Sequence, residues 1–130
     1  MLSHVILGTN DVAKAVEFYD GVLGAIGIQR RFLDESGAGY GKHDEIGIDT
    51  FWLTKPIDGR PATVGNGTNV AFVAPSREAV RNFHVKGIEL GGTSEGEPGV
   101  REEAHPDFFA AYLCDLDGNK IVAVCHDRDE

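Results

Sequence analysis

The 130 residues are 42% hydrophobic and 25% charged, the composition of a single globular domain with a substantial core. Twelve basic residues stand against 21 acidic ones, a formal charge of −9 with no basic run, which argues against nucleic acid or an anionic membrane as a partner. No apolar stretch nears the roughly 20 residues of a membrane helix, and Met1-Leu2-Ser3-His4 enters a strand without the basic and apolar regions of a signal peptide, so a cytoplasmic protein is expected.

Residues 3–9 read as a short apolar strand carrying His4. Asn10 or Asp11 then caps a helix whose apolar positions Val12, Ala15, Val16, Tyr19, Val22 and Leu23 recur at three and four, with Gly24 and Gly27 as stops. Strands are expected over 27–33, 39–41 and 46–54, separated by glycine-rich or acidic turns. This is a βαβββ module over 1–55. Residues 56–67, rich in proline and glycine and without periodicity, form a linker. A second module over 68–130 opens with a strand from Asn69, then a helix that starts at Ser76, buries Ala79, Val80, Phe83 and Leu90, and closes at Gly91-Gly92. Residues 96–101 are a turn or loop leading to a weak strand. Residues 107–114 form an aromatic-rich strand, and 120–126 pair with it across Asp117-Gly118-Asn119.

The second module repeats the first. His4 corresponds to Asn69, Leu7 to Phe72, Phe18 to Phe83, Tyr19 to His84 and Gly27 to Gly92, a constant offset of 65 positions. Two cysteines flank the last turn. Antiparallel pairing sets Cys114 near Ile121 and leaves Cys125 further along, so both are expected as free thiols, and neither has a zinc or redox spacing.

These features carry a family resemblance: the Asp-x-Asp-Gly-Asn turn at 115–119, the helix sequence NDVAKAVEFYDGVLG at 10–24, the stretch Gly67-Thr68-Asn69-Val70-Ala71-Phe72, and Pro98-Gly99-Val100-Arg101. The chain is similar over nearly its whole length to the vicinal oxygen chelate superfamily, the fold of glyoxalase I, extradiol dioxygenases, and fosfomycin- and bleomycin-resistance proteins. The resemblance implies an α+β fold in which two βαβββ modules form a cup of curved sheets. It also implies a divalent metal held by the first and fourth strands of each module, usually through His or Gln and Glu. Carried over by position, those places are His4, Trp52, Asn69 and Val122. Only His4 is a usual metal ligand; Asn69 offers a neutral amide, Trp52 an indole donor and Val122 nothing. No cofactor is therefore expected, and a divalent metal could involve His4 alone. His126, His105 and His43 are the other histidines that could stand in as ligands, or simply be surface residues.

Alternation along the strands turns Val5, Leu7, Val70, Phe72, Ile121, Ala123 and Cys125 toward the helices. It turns His4, Ile6, Thr50, Trp52, Asn69, Ala71, Val73, Val122 and Val124 toward the cup, an apolar surface with a few polar handles of the kind that holds small ligands. Tyr112 or its neighbours Phe108 and Phe109 are expected to wall one side. His4 suits a general base oriented by Asn69, or the two satisfy each other. Trp52 is a packing residue or a stacking platform, while Arg101, His105 and Arg60 either meet an anionic ligand or stay solvated. Two functions follow. One is a glyoxalase- or dioxygenase-like enzyme acting on a small oxygenated metabolite; the other is a metal-free protein that binds and sequesters a small molecule. A homodimer is expected, because the sheets have open edges to cover.

Overall fold

The structure, a computed structural model, describes residues 1–42 and 49–128. Module one runs β1 (Val5–Gly8), α1 (Val12–Gly24), β2 (Ile28–Asp34), β3 (Gly37–Lys42) and β4 (Phe51–Thr54). Module two runs β5 (Val70–Val73), α2 (Arg77–Glu89), β6 (Thr93–Val100), β7 (Phe109–Cys114) and β8 (Lys120–Cys125). The strands order as β1-β4-β3-β2 and β5-β8-β7-β6, the same arrangement twice, with β1 parallel to β4 and β5 parallel to β8. Each sheet keeps two open edges, so the pair does not close on itself within one chain.

Both helices begin where a side chain supplies an acceptor to an otherwise unpaired backbone N–H. Asp11 accepts from Lys14 N at 3.1 Å and Ser76 from Ala79 N at 3.0 Å. Asn10, the other candidate cap, does something else: its amide brackets Ala62, accepting from the backbone N at 2.7 Å and donating to the backbone O at 3.1 Å. The linker is thereby pinned to the entrance of α1.

The helices pack on each other and on one face of the sheets, and a single apolar core forms there. Leu7, Ile121, Ala123 and Cys125 join it as strand alternation requires, with Val70 and Phe72 packed against it. Phe18, Tyr19 and Phe83 are its largest aromatic members from the helices. Phe51 meets Phe72 edge-on at 5.1 Å, which carries the core across from one module to the other. Truncating a ring such as Phe83 to alanine should cost about 3–5 kcal/mol.

Several strand boundaries depart from expectation for local reasons. β6 covers eight residues although Gly96, Pro98 and Gly99 are poor strand formers; its pairing with β7 shifts register on both sides of Gly96. β3 extends to six residues. The strand expected over 46–54 is seen as β4 from Phe51, with 46–48 and His43 outside the described residues. In the last hairpin Cys114 pairs with Lys120 and Leu113 with Ile121, one place from the expected register. The cause is the turn, where Asp115 N donates to Asn119 O at 2.8 Å and leaves Cys114 opposite Lys120. Gly118 takes φ +94 there, a conformation open to glycine at little cost. Both cysteines are free.

Candidate functional site

The face of each sheet turned away from the helices is where the sequence places a ligand, and the two faces differ. On module one, Gly39 and Gly41 of β3 have no side chains, and larger groups lie across them. A Cβ on Gly39 would come within 2.6 Å of Asp49 Oδ2 and 2.9 Å of the Trp52 ring. Trp52 Nε1 donates to Asp49 O at 3.1 Å, and its ring meets Phe32 at 5.5 Å. Arg31 Nε pairs with Asp49 Oδ1 at 3.2 Å. The glycine face is therefore already covered by the chain's own indole, guanidinium and carboxylate.

His4 is exposed, with Nδ1 2.9 Å from Ser3 Oγ. It borders a hollow of about 210 Å³ shared with Leu2, Thr50, Phe51 and Ala71. Asn69 borders a different hollow, about 430 Å³, between the linker end and Asn119-Lys120, and no hydrogen bond joins it to His4 among the described residues. Val122 is 1% exposed beneath module two. The four places that would supply a metal shell thus hold one exposed imidazole, an indole engaged with the Asp49 carbonyl, an exposed amide and a buried valine. Among the described residues no group of three or more His, Cys, Asp or Glu could hold a metal ion. The donor set does not fit a divalent cation.

Module two presents a different surface. Ala110, Val122 and Val124 form a small buried cluster on this face, with Phe108 and Tyr112 packed on it. Tyr112 pairs with Val122, which settles that its ring lies on the face away from the helices. Arg101 reaches the ring from the side of β6, its Cζ 5.3 Å from the centroid, and Lys120 Nζ reaches it from β8 at 5.4 Å. Arg101 fits because Gly96 and Gly99 leave room: a Cβ on either would approach the guanidinium to 3.1 or 3.0 Å. Arg101 Nη2 donates to Glu97 O at 2.7 Å. The two cations, Tyr112, Phe108, Ala104, Glu95 and Glu103 line a hollow of about 350 Å³, within the ordinary range for small-ligand sites.

His105 and His126 meet at the end of this surface. Their rings stack at 5.2 Å, with Phe108 edge-on to both. Asp107 N donates to His105 Nδ1 at 3.1 Å, so the neutral His105 carries its proton on Nε2. That nitrogen lies 2.9 Å from His126 Nδ1 and donates to it. His105 is therefore committed to His126.

The sequence-predicted site residues thus fall into separate places. Arg101 and Tyr112 come together, with His105 beside them; His4, Trp52 and Asn69 do not. Lys120 was missed. It shares strand parity with Val122 and Val124, so alternation along β8 alone could have found it.

A sequence profile of the Glyoxalase/Bleomycin resistance protein/Dioxygenase superfamily matches residues 1–123. Among solved structures, a glyoxalase/bleomycin resistance protein from Albidiferax ferrireducens T118 is similar with 42% identity and a TM-score of 0.84, over 98% of this chain and 99% of that one. A glyoxalase-related enzyme from Fulvimarina pelagi, 15% identical over 96% of this chain and 87% of that one, shares the fold at a TM-score of 0.73. A V278E variant of glyoxalase I from Zea mays does so at 0.65 with 20% identity, this chain being 95% covered and spanning 45% of the maize chain. No curated protein sequence matches. The repeated βαβββ architecture and the match along nearly the whole sequence lead to one conclusion: the chain belongs to the Glyoxalase/Bleomycin resistance protein/Dioxygenase superfamily.

Proposed function

We propose that the protein binds a small organic molecule without a divalent metal, on the surface of module two built around Tyr112. The observation that carries this reading is the chemistry at the four metal-ligand places: His4 stands alone, and Trp52, Asn69 and Val122 supply no anionic or imidazole donor. Lewis-acid catalysis of the glyoxalase or dioxygenase kind needs a chelated ion with open positions. Sequestration, the bleomycin-resistance side of the family's name, needs only a shaped surface with a few polar groups. Elemental analysis of protein purified without added metal tests this: substoichiometric zinc, iron, manganese and nickel are expected, and one tightly held equivalent of any of them would overturn the reading.

The active unit is a homodimer. Ile6 is 54% exposed on edge strand β1 and Val73 66% on edge strand β5, apolar side chains on open edges that a second copy would cover. Light scattering should return twice the 14.0 kDa chain mass, and a value near 14.0 kDa would refute it. The free thiols of Cys114 and Cys125 suit a cytoplasmic location, and no described helix is long and apolar enough to cross a membrane.

A further inference from the structure

We infer that the hollow beside Tyr112 selects a monoanionic organic acid, its carboxylate held between Arg101 and Lys120 and its apolar body laid toward Phe108 and Ala104. The inference rests on the binding function proposed above and narrows the ligand class.

Charge is the first argument. In a chain of net charge −9, two half-buried cations converge on one ring, and neither has a carboxylate within ion-pairing distance among the described residues. Four other cations are paired with carboxylates, Arg30 with Asp20, Arg31 with Asp49, Lys86 with Glu89 and Arg128 with Asp107, while Arg77 and Arg81 converge on the Phe109 ring, which lines none of the hollows bordered by His4, Asn69 or Tyr112. Arg101 spends an N–H on Glu97 O and keeps others in its planar fork, the geometry that meets a carboxylate with two parallel hydrogen bonds. Tyr112 holds both cations in place by the attraction of its ring face, so they are positioned before a ligand arrives.

The surroundings limit the charge and shape the rest of the ligand. Glu95 and Glu103 border the same hollow, and their carboxylates would repel a phosphate dianion more than a single carboxylate. The remaining lining is apolar, from Phe108 and Ala104, with Ala110, Val122 and Val124 buried beneath.

The test uses 3-phenylpropionate, its neutral analogue 3-phenylpropionamide, and inorganic phosphate, each titrated calorimetrically into the natural protein and into Arg101→Met and Lys120→Met. The carboxylate should bind at least tenfold more tightly than the amide. Each substitution should weaken carboxylate binding about tenfold, roughly 1.4 kcal/mol, and leave the amide unchanged. Phosphate should bind more weakly than the carboxylate. Raising ionic strength should weaken binding of the two anions and leave the neutral amide unchanged. Equal affinities for acid and amide, unchanged affinity in both variants, tighter binding of phosphate, or no saturable binding of any probe up to roughly 10 mM would each overturn the inference. Repeating the carboxylate titration with zinc or manganese separates the two readings: a large metal-dependent gain would defeat the metal-free function while leaving the Arg101 and Lys120 result to stand or fall on its own.

Discussion

Tyr19 Oη donates a 2.5 Å hydrogen bond to Asp115 Oδ2, joining the middle of α1 to the turn before β8 across 96 positions of sequence. Asp115 is buried and also accepts from Asp117 N, Asn119 N and Asn119 Nδ2. Asn119 Nδ2 in turn donates to Gly8 O, and Asp117 Oδ1 accepts from Asn10 N. The Asp-x-Asp-Gly-Asn turn is thus a clasp that fastens module two to the start of module one. Burial, and then the Asp115 carboxylate itself, push the Tyr19 phenol well above its ordinary value and keep it a donor.

Removing that donor leaves Asp115 with three partners. Tyr19→Phe should therefore cost roughly 1–3 kcal/mol, and Asp115→Ala more, because it strands several buried donors at once. Urea unfolding midpoints decide this; an Asp115→Ala protein no less stable than Tyr19→Phe would show that the turn is held by its backbone alone.

His84 makes stability depend on pH. Burial holds its imidazole below the ordinary 6.5, outweighing the upward pull of Glu97, and Nε2 lies 2.8 Å from Ser94 Oγ. Because the folded state resists protonation, the unfolded chain takes up its proton first as pH falls through 6.5. This group's contribution is intact above that point and declines below it until the folded pKa is passed. Melting temperatures from about pH 8 to about pH 5 should fall more steeply for the natural protein than for His84→Gln. Parallel curves would remove His84 from the account.

Cys114 should be a slow nucleophile. Burial first, then the charges of Glu95 and Asp115 and a hydrogen bond to Glu95, raise its thiol above 9.0, against a smaller opposite pull from Lys120. At mildly alkaline pH little thiolate is present to react. Glu95→Gln should speed alkylation by iodoacetamide; a rate that stays the same or drops would mean that Glu95 does not govern the thiol.

Much of the architecture was legible because the chain states its plan twice. The offset of 65 aligns His4 with Asn69 and Phe18 with Phe83, and strand alternation sorted Leu7, Phe72, Ile121 and Ala123 onto the core side where they lie. Boundaries suffered where glycine and proline obscure strand propensity, as in β6. The site was less legible. Pairing of His105 with His126 depends on a loop reaching back to the end of β8, which periodicity does not encode. Trp52 lies flat because Gly39 is bare across the ladder, a relation that appears only once β3 and β4 are in register. Lys120 was overlooked although alternation along β8 puts it on the same face as Val122 and Val124, because the first residue of the strand reads as part of the turn's edge rather than as a side chain of the cup.

Whether ligand binds on module two, away from His4 and independent of metal, is decided by one measurement. Backbone amide shifts of isotopically labelled protein, followed by NMR during titration with 3-phenylpropionate in the presence of a chelator, should move first around Gly96, Arg101, Tyr112 and Lys120. The signals of His4, Ile6 and Trp52 should stay in place. Perturbations centred on His4 and Asn69, or perturbations that appear only when the chelator is replaced by zinc or manganese, would contradict the account.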